Sequence, residues 1–154
     1  MRARVLAEPF PVVHLDTDAL EATRLLVDRA LPGLVVVDHD GLPLFILPGS
    51  QVLRFALPEY VEQDQTLASV YSESDADALC ESLRGRTVQE LMPSKKFLPR
   101  RPASRPIVAP DATVMEIAAV MAEQHSPVIA VVDGGKIIGV ITVHRLLGST
   151  LPAT

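Results

Sequence analysis

The chain has 154 residues and a formal net charge of −5, from 14 Lys and Arg against 19 Asp and Glu. That length admits one compact domain or two small packed ones, and the acidic balance argues against nucleic-acid binding, which needs clustered cations. Hydrophobic residues make up 48% but aromatics only 4%, with no Trp, so aliphatic side chains must fill the core and few rings exist to stack on bases.

The single cysteine, Cys80, excludes a disulfide framework within the chain and a zinc ribbon. No apolar run approaches the roughly 18 residues of a membrane span, so no direct membrane insertion is expected. The opening MRARVLAEPFPVVHLD lacks the apolar core of a secretory signal. A soluble, cytoplasmic protein is expected.

In chain order, residues 11–14 read as a short strand. Asp18, with Glu21 three positions on, is a helix N-cap. The helix it starts places Leu20, Thr23, Val27 and Ala30 on one face. Pro32 ends it. Residues 34–37 form a continuous apolar run rich in β-branched residues, the mark of a strand covered on both faces. His39-Asp40-Gly41 is a turn, 42–47 a second strand, and 49–55 a short helix.

An extra stretch follows. Residues 59–70 are a weak helix candidate, and 76–83 read as an amphipathic helix in which Cys80, beside acidic neighbours, is a buried residue rather than a nucleophile. Residues 86–92 start another short helix, and 93–106 form a Pro- and Arg-rich loop whose basic cluster is Lys95, Lys96, Arg100, Arg101 and Arg105.

The first pattern then recurs. Residues 105–108 read as a strand, and Thr113 with Glu116 forms a capping box. Met115, Ala118, Ala119 and Ala122 share a helix face, small enough for close helix packing. Pro127, the apolar run 128–132, Gly134-Gly135, a strand over 136–142 and a helix over 143–147 complete the copy. Residues 16–38 and 111–133 align without a gap at an offset of about 95 positions, a true internal repeat. The expected fold class is α/β (α+β): two β-α-β-β-α units packed as a pseudo-twofold pair, repeat one over 1–55, a helical insertion over 56–87, and repeat two over 88–154.

No enzyme is expected. His14, His39, His125 and His144 are scattered, and no Gly-x-Ser-x-Gly, Gly-rich phosphate loop or Cys-x-x-Cys occurs.

Val88-Gln89-Glu90-Leu91-Met92, Asp111-Ala112-Thr113, Val131-Val132-Asp133, Gly135 and Gly139-Val140-Ile141-Thr142 occur in an order and spacing that resemble the cystathionine β-synthase (CBS) domain family. The first copy is more degenerate, with Phe45 opposite Gly139 and Pro48 opposite Thr142. The resemblance implies a stand-alone tandem CBS pair, or Bateman module. Such a module is regulatory rather than catalytic, commonly a homodimer, and binds AMP, ADP, ATP or S-adenosylmethionine in clefts between the copies. It requires no cofactor and acts on a separate effector protein, an enzyme or transporter.

The resemblance also assigns residues. Thr142, at a helix start, offers its hydroxyl and nearby N–H groups to phosphate, because helix N-termini favour anions. His144 and Arg145 add cationic character beside it. Ile107, Val128 and Ile137 fall near the base. The family's ribose-binding carboxylate is replaced by Arg145 in copy two and Gln51 in copy one. Gln51 can still accept a ribose hydrogen bond; Arg145 cannot. Pro48 removes a hydroxyl and a donor, so the first cleft is expected to be closed or vestigial. The alternative reading is a ligand-free dimeric interaction scaffold that docks through the insertion.

Overall fold

The computed structural model of the chain describes residues 1–57, 61, 63–73, 78–92 and 105–153. Two three-stranded sheets form, one per repeat, with identical topology. In repeat one, β1 (Val12–His14) pairs parallel with β2 (Gly33–Val37), which pairs antiparallel with β3 (Pro43–Pro48). In repeat two, β4 (Ile107–Val108), β5 (Val128–Asp133) and β6 (Lys136–Thr142) do the same. Both hairpins slip register at matching places, between Val36 and Val37 and between Val131 and Val132.

Each parallel crossover carries a helix, α2 (Ala19–Asp28) or α5 (Val114–Gln124), because parallel neighbours need a long connection. The capping works as the residue types require. The Asp18 carboxylate accepts the Glu21 N–H, and Thr113 with Glu116 makes the full capping box. Both helices end before their prolines, at Ala30 and His125, each left-handed with φ 50°. There the Leu31 N–H reaches the Leu26 carbonyl and the Ser126 N–H the Met121 carbonyl, closing a Schellman turn in each copy. The hairpins lead into α3 (Gly49–Ala56) and α6 (Val143–Thr150).

The central strands alternate between two cores. Leu34 and Val36 face the helices of repeat one, and Ile129 and Val131 face those of repeat two. Val35 and Val37 meet Val128, Ala130 and Val140 in a layer between the sheets. Coverage on both faces is why these strands read as unbroken apolar runs.

Two short helices, α1 (Ala3–Leu6) and α4 (Val88–Leu91), cross over. Ala3 and Leu6 are buried in the core of repeat two, while Val88, Leu91 and Met92 are buried in the core of repeat one. Backbone bonds fix both crossings alike: Ala3 and Arg4 donate to the carbonyls of Ala112 and Pro110, and Val88 and Gln89 to those of Thr17 and Leu15. Each repeat's core is therefore completed by the segment preceding the other repeat's first strand.

The insertion departs from expectation. Gln65–Val70 and Leu79–Leu83 are 3-10 turns, not the α-helices read from the sequence. Three residues per turn align Cys80 with Leu83, yet only Leu83 reaches the core; Cys80 is exposed, against the expectation of burial. Residues 61 and 63 of the first are helical, while 59–60, 62 and 76–77, and the basic cluster before Arg105, lie outside the described residues.

Candidate functional site

Thr142 closes β6 and caps α6. Its Oγ1 accepts the Arg145 N–H at 3.1 Å, and the Val143 N–H is taken by the Pro127 carbonyl at 3.0 Å. The equivalent residue before α3, Pro48, makes no side-chain cap. The first repeat therefore lacks the hydroxyl that organises the second.

One turn into α6, the Arg145 Nε lies 3.4 Å from the Leu6 carbonyl and 3.6 Å from the Glu8 carboxylate. In repeat one the Gln51 amide donates to the Leu91 carbonyl at 3.2 Å. These are equivalent contacts. Leu6 and Leu91 end the two crossing helices, and the carbonyl of a helix's last residue lacks an intrahelical partner. A carboxylate at position 51 or 145 has no proton to give such a carbonyl. Each of the two positions thus meets a backbone acceptor of the chain's own, to which Gln51 and Arg145 can donate and an acid could not.

Met1, Val5 and Leu6 on one side and His144, Arg145 and Ser149 on the other enclose a cleft of about 390 Å³ between α1 and α6. Its walls differ: apolar on α1, cationic or polar on α6. The two terminal guanidinium nitrogens of Arg145 make no hydrogen bond among the described residues, so they remain able to bind a planar or tetrahedral anion.

The other assigned residues lie elsewhere. Thr142 caps the helix without lining this cleft. Ile107 is half-buried on the edge strand β4, opposite Ala130. Val128 is fully buried in the layer between the sheets, and Ile137 packs against that layer. Gln51 belongs to repeat one. His144 and Arg145 line the cleft together, and Ile107, Val128 and Ile137 do not line it.

Sequence reasoning missed the N-terminal wall. Glu8 and Val140 exchange both backbone hydrogen bonds at 2.9 Å, so residues 7 and 8 run along the edge of β6. Gly139 permits this approach: a Cβ there would stand 2.9 Å from the Ala7 Cβ and from the Glu8 carbonyl oxygen. The available signal was the likeness of Arg2-Ala3-Arg4-Val5-Leu6-Ala7 to Thr87-Val88-Gln89-Glu90-Leu91-Met92, both ahead of a first strand.

A second link joins the repeats. The Arg105 guanidinium donates to Asp38 at 2.9 Å, with both side chains largely buried. Burial alone would raise the Asp38 pKa. The bonds from Arg105, Leu42 N–H and Asp40 N–H, with the charge of Arg105, outweigh it and hold the carboxyl below its usual value. Among the described residues no cluster of three His, Cys, Asp or Glu could hold a metal, and no helix is long and apolar enough to cross a membrane.

A protein-family model, the CBS domain, matches residues 94–150. A CBS domain-containing protein of unknown function from Kribbella flavida DSM 17836 is 49% identical over 99% of both chains, with a TM-score of 0.81. The CBS domain of a CBS domain-containing membrane protein from Sphaerobacter thermophilus shares the fold at 24% identity, covering 98% of this chain and 88% of its own, with a TM-score of 0.68. So does CBSX2 of Arabidopsis thaliana in complex with AMP, at 20% identity, 96% and 94% coverage and a TM-score of 0.63. Comparison with curated proteins finds no match.

Proposed function

The chain belongs to the CBS-domain family, and on that premise we propose that it is a regulatory tandem CBS module that binds an adenine nucleotide or related adenosyl ligand beside repeat two and passes its bound state to a separate effector. The observation that carries this reading is the pairing of His144 and Arg145 on one wall of a cleft, at the start of a helix capped by Thr142. The AMP bound by CBSX2 supports an adenosyl ligand on this fold. Phosphate would meet Arg145 and His144 in the cleft, at the start of the helix that Thr142 caps, and the base would extend out of the cleft toward Ile107 and Ile137. Val128 would back that surface from the core. Gln51, engaged with Leu91, leaves repeat one as the lesser site.

Such a ligand acts by preferring one arrangement of the two repeats over another. The module is proposed to work as a homodimer. Leu147 is exposed between α5 and α6, beside the small residues Ala118 and Ala122, and an apolar face of this kind favours a partner.

A ligand-free scaffold is the second reading. It is favoured by one observation, that both family ribose positions already donate to the chain's own carbonyls. Thermal unfolding with AMP, ADP, ATP and S-adenosylmethionine separates the two. A ligand that binds only the folded state stabilises it by about 2.7 kcal/mol at a hundredfold excess over Kd. A raised midpoint that Arg145→Ala abolishes supports the sensor. No shift with any of the four at millimolar concentration supports the scaffold.

A further inference from the structure

We infer that Glu8 is a built-in competitor of the anionic ligand at Arg145, so that anion affinity in repeat two is set by the chain's own N-terminal segment. The inference rests on the nucleotide-sensor reading above and names the regulation of that site.

Three observations place Glu8 in this role. Its backbone is pinned: both hydrogen bonds to Val140 are 2.9 Å, and the approach depends on glycine at position 139. Its carboxylate is thereby held 3.6 Å from the Arg145 Nε, with both side chains about half-exposed. Finally, α1, two residues earlier in the same segment, forms the apolar wall of the cleft in which Arg145 stands. An incoming phosphate meets a guanidinium that already has a negative partner, and it meets that partner's charge as well. Like charges at such a site oppose each other, and an exposed pair is weak enough to be displaced.

The device is absent from repeat one by construction. The residue there corresponding to Gly139 is Phe45, paired with Val36 as Gly139 is with Val131. The side chain corresponding to Arg145 is Gln51, which carries no charge for a carboxylate to neutralise. Regulation by an internal acid therefore belongs to the second site alone.

Displacement of Glu8 need not unseat the segment. Leu6 and Ala3 stay buried, and the backbone bonds of Ala3, Arg4 and Glu8 do not involve the carboxylate. The competition is between side chains, and its size follows from an exposed pair: about two- to fivefold in affinity at low salt, shrinking as salt screens it.

The test is calorimetric titration of the full chain with AMP at low and high salt, comparing wild type, Glu8→Gln, Arg145→Ala and Asp28→Asn. The last removes one negative charge from α2 in repeat one. The expected result is Glu8→Gln binding about two- to fivefold tighter at low salt, with little difference at high salt, no binding by Arg145→Ala, and Asp28→Asn like wild type. Equal affinities for wild type and Glu8→Gln, with Arg145→Ala still inactive, overturn the competitor while leaving the sensor standing. A gain in Asp28→Asn equal to that in Glu8→Gln overturns it too, since the effect is then net charge alone. No binding by either wild type or Glu8→Gln, with AMP and then with ADP, ATP and S-adenosylmethionine in the same titration, removes both. The thermal midpoint of each variant verifies folding.

Discussion

Leu6 is the last residue of a four-residue helix, in a segment that sequence alone would treat as a tail, yet it is 1% exposed. Its contacts are with the core of repeat two, alongside Val108, Ile117, Ile129 and Ile141. Leu6→Ala removes buried methyl groups and leaves a cavity, a change that costs about 2–5 kcal/mol in a well-packed core. For a chain of this size each kcal/mol moves the thermal midpoint by about 2–4 °C, so the loss should be about 4–20 °C. Val5→Ala, one residue away and 59% exposed, is the matched control; its cost should stay within about 0.5 kcal/mol. Equilibrium urea denaturation followed by circular dichroism measures both. If Leu6→Ala costs no more than Val5→Ala, the N-terminal helix is not part of the second core and the crossed arrangement is wrong. Leu91→Ala, the counterpart in repeat one and fully buried, should match Leu6→Ala in size.

Gly139→Ala should destabilise by about 1–3 kcal/mol, because its Cβ meets the backbone at Glu8 rather than a side chain that can swing away; denaturant midpoints equal to wild type would show that residues 7 and 8 do not lie against β6. The Asp38–Arg105 pair gives a pH dependence of known sign. Asp38 has a depressed folded-state pKa, so its contribution is full above the ordinary carboxyl value of 3.8 and is lost as pH falls through the lower folded value. Arg105→Ala should therefore lower stability at neutral pH by about 1–2 kcal/mol and flatten the acid limb of the stability curve. An unchanged acid limb would mean that the pair does not form.

Much of this fold could be read from local pattern. The capping residues Asp18 and Thr113, the apolar runs at Val35–Val37 and Val128–Val132, rich in β-branched residues, and the glycine turns each determine a conformation within a few residues of themselves, and the repetition of the pattern strengthened each reading. What escaped depends on partners far along the chain. The α1 helix has four residues, too few for a periodic signal, and its buried side chains find their neighbours more than a hundred positions away. The replacement of an acid by Arg145 and Gln51 was visible as a departure. The Leu6 and Leu91 carbonyls that these side chains meet were not, because they lie 139 and 40 residues away. Cys80 was misplaced because its five-residue turn brings only its last residue, Leu83, into the core.

The most direct measurement is titration of the isotope-labelled protein with AMP, following backbone amide resonances by NMR. The expected result is saturable shifts at residues 142–145 and Ser149, accompanied by residues 6–8, with little change over 49–54. Absence of saturable shifts up to millimolar AMP, or shifts confined to the start of α3, would contradict ligand binding at the second repeat.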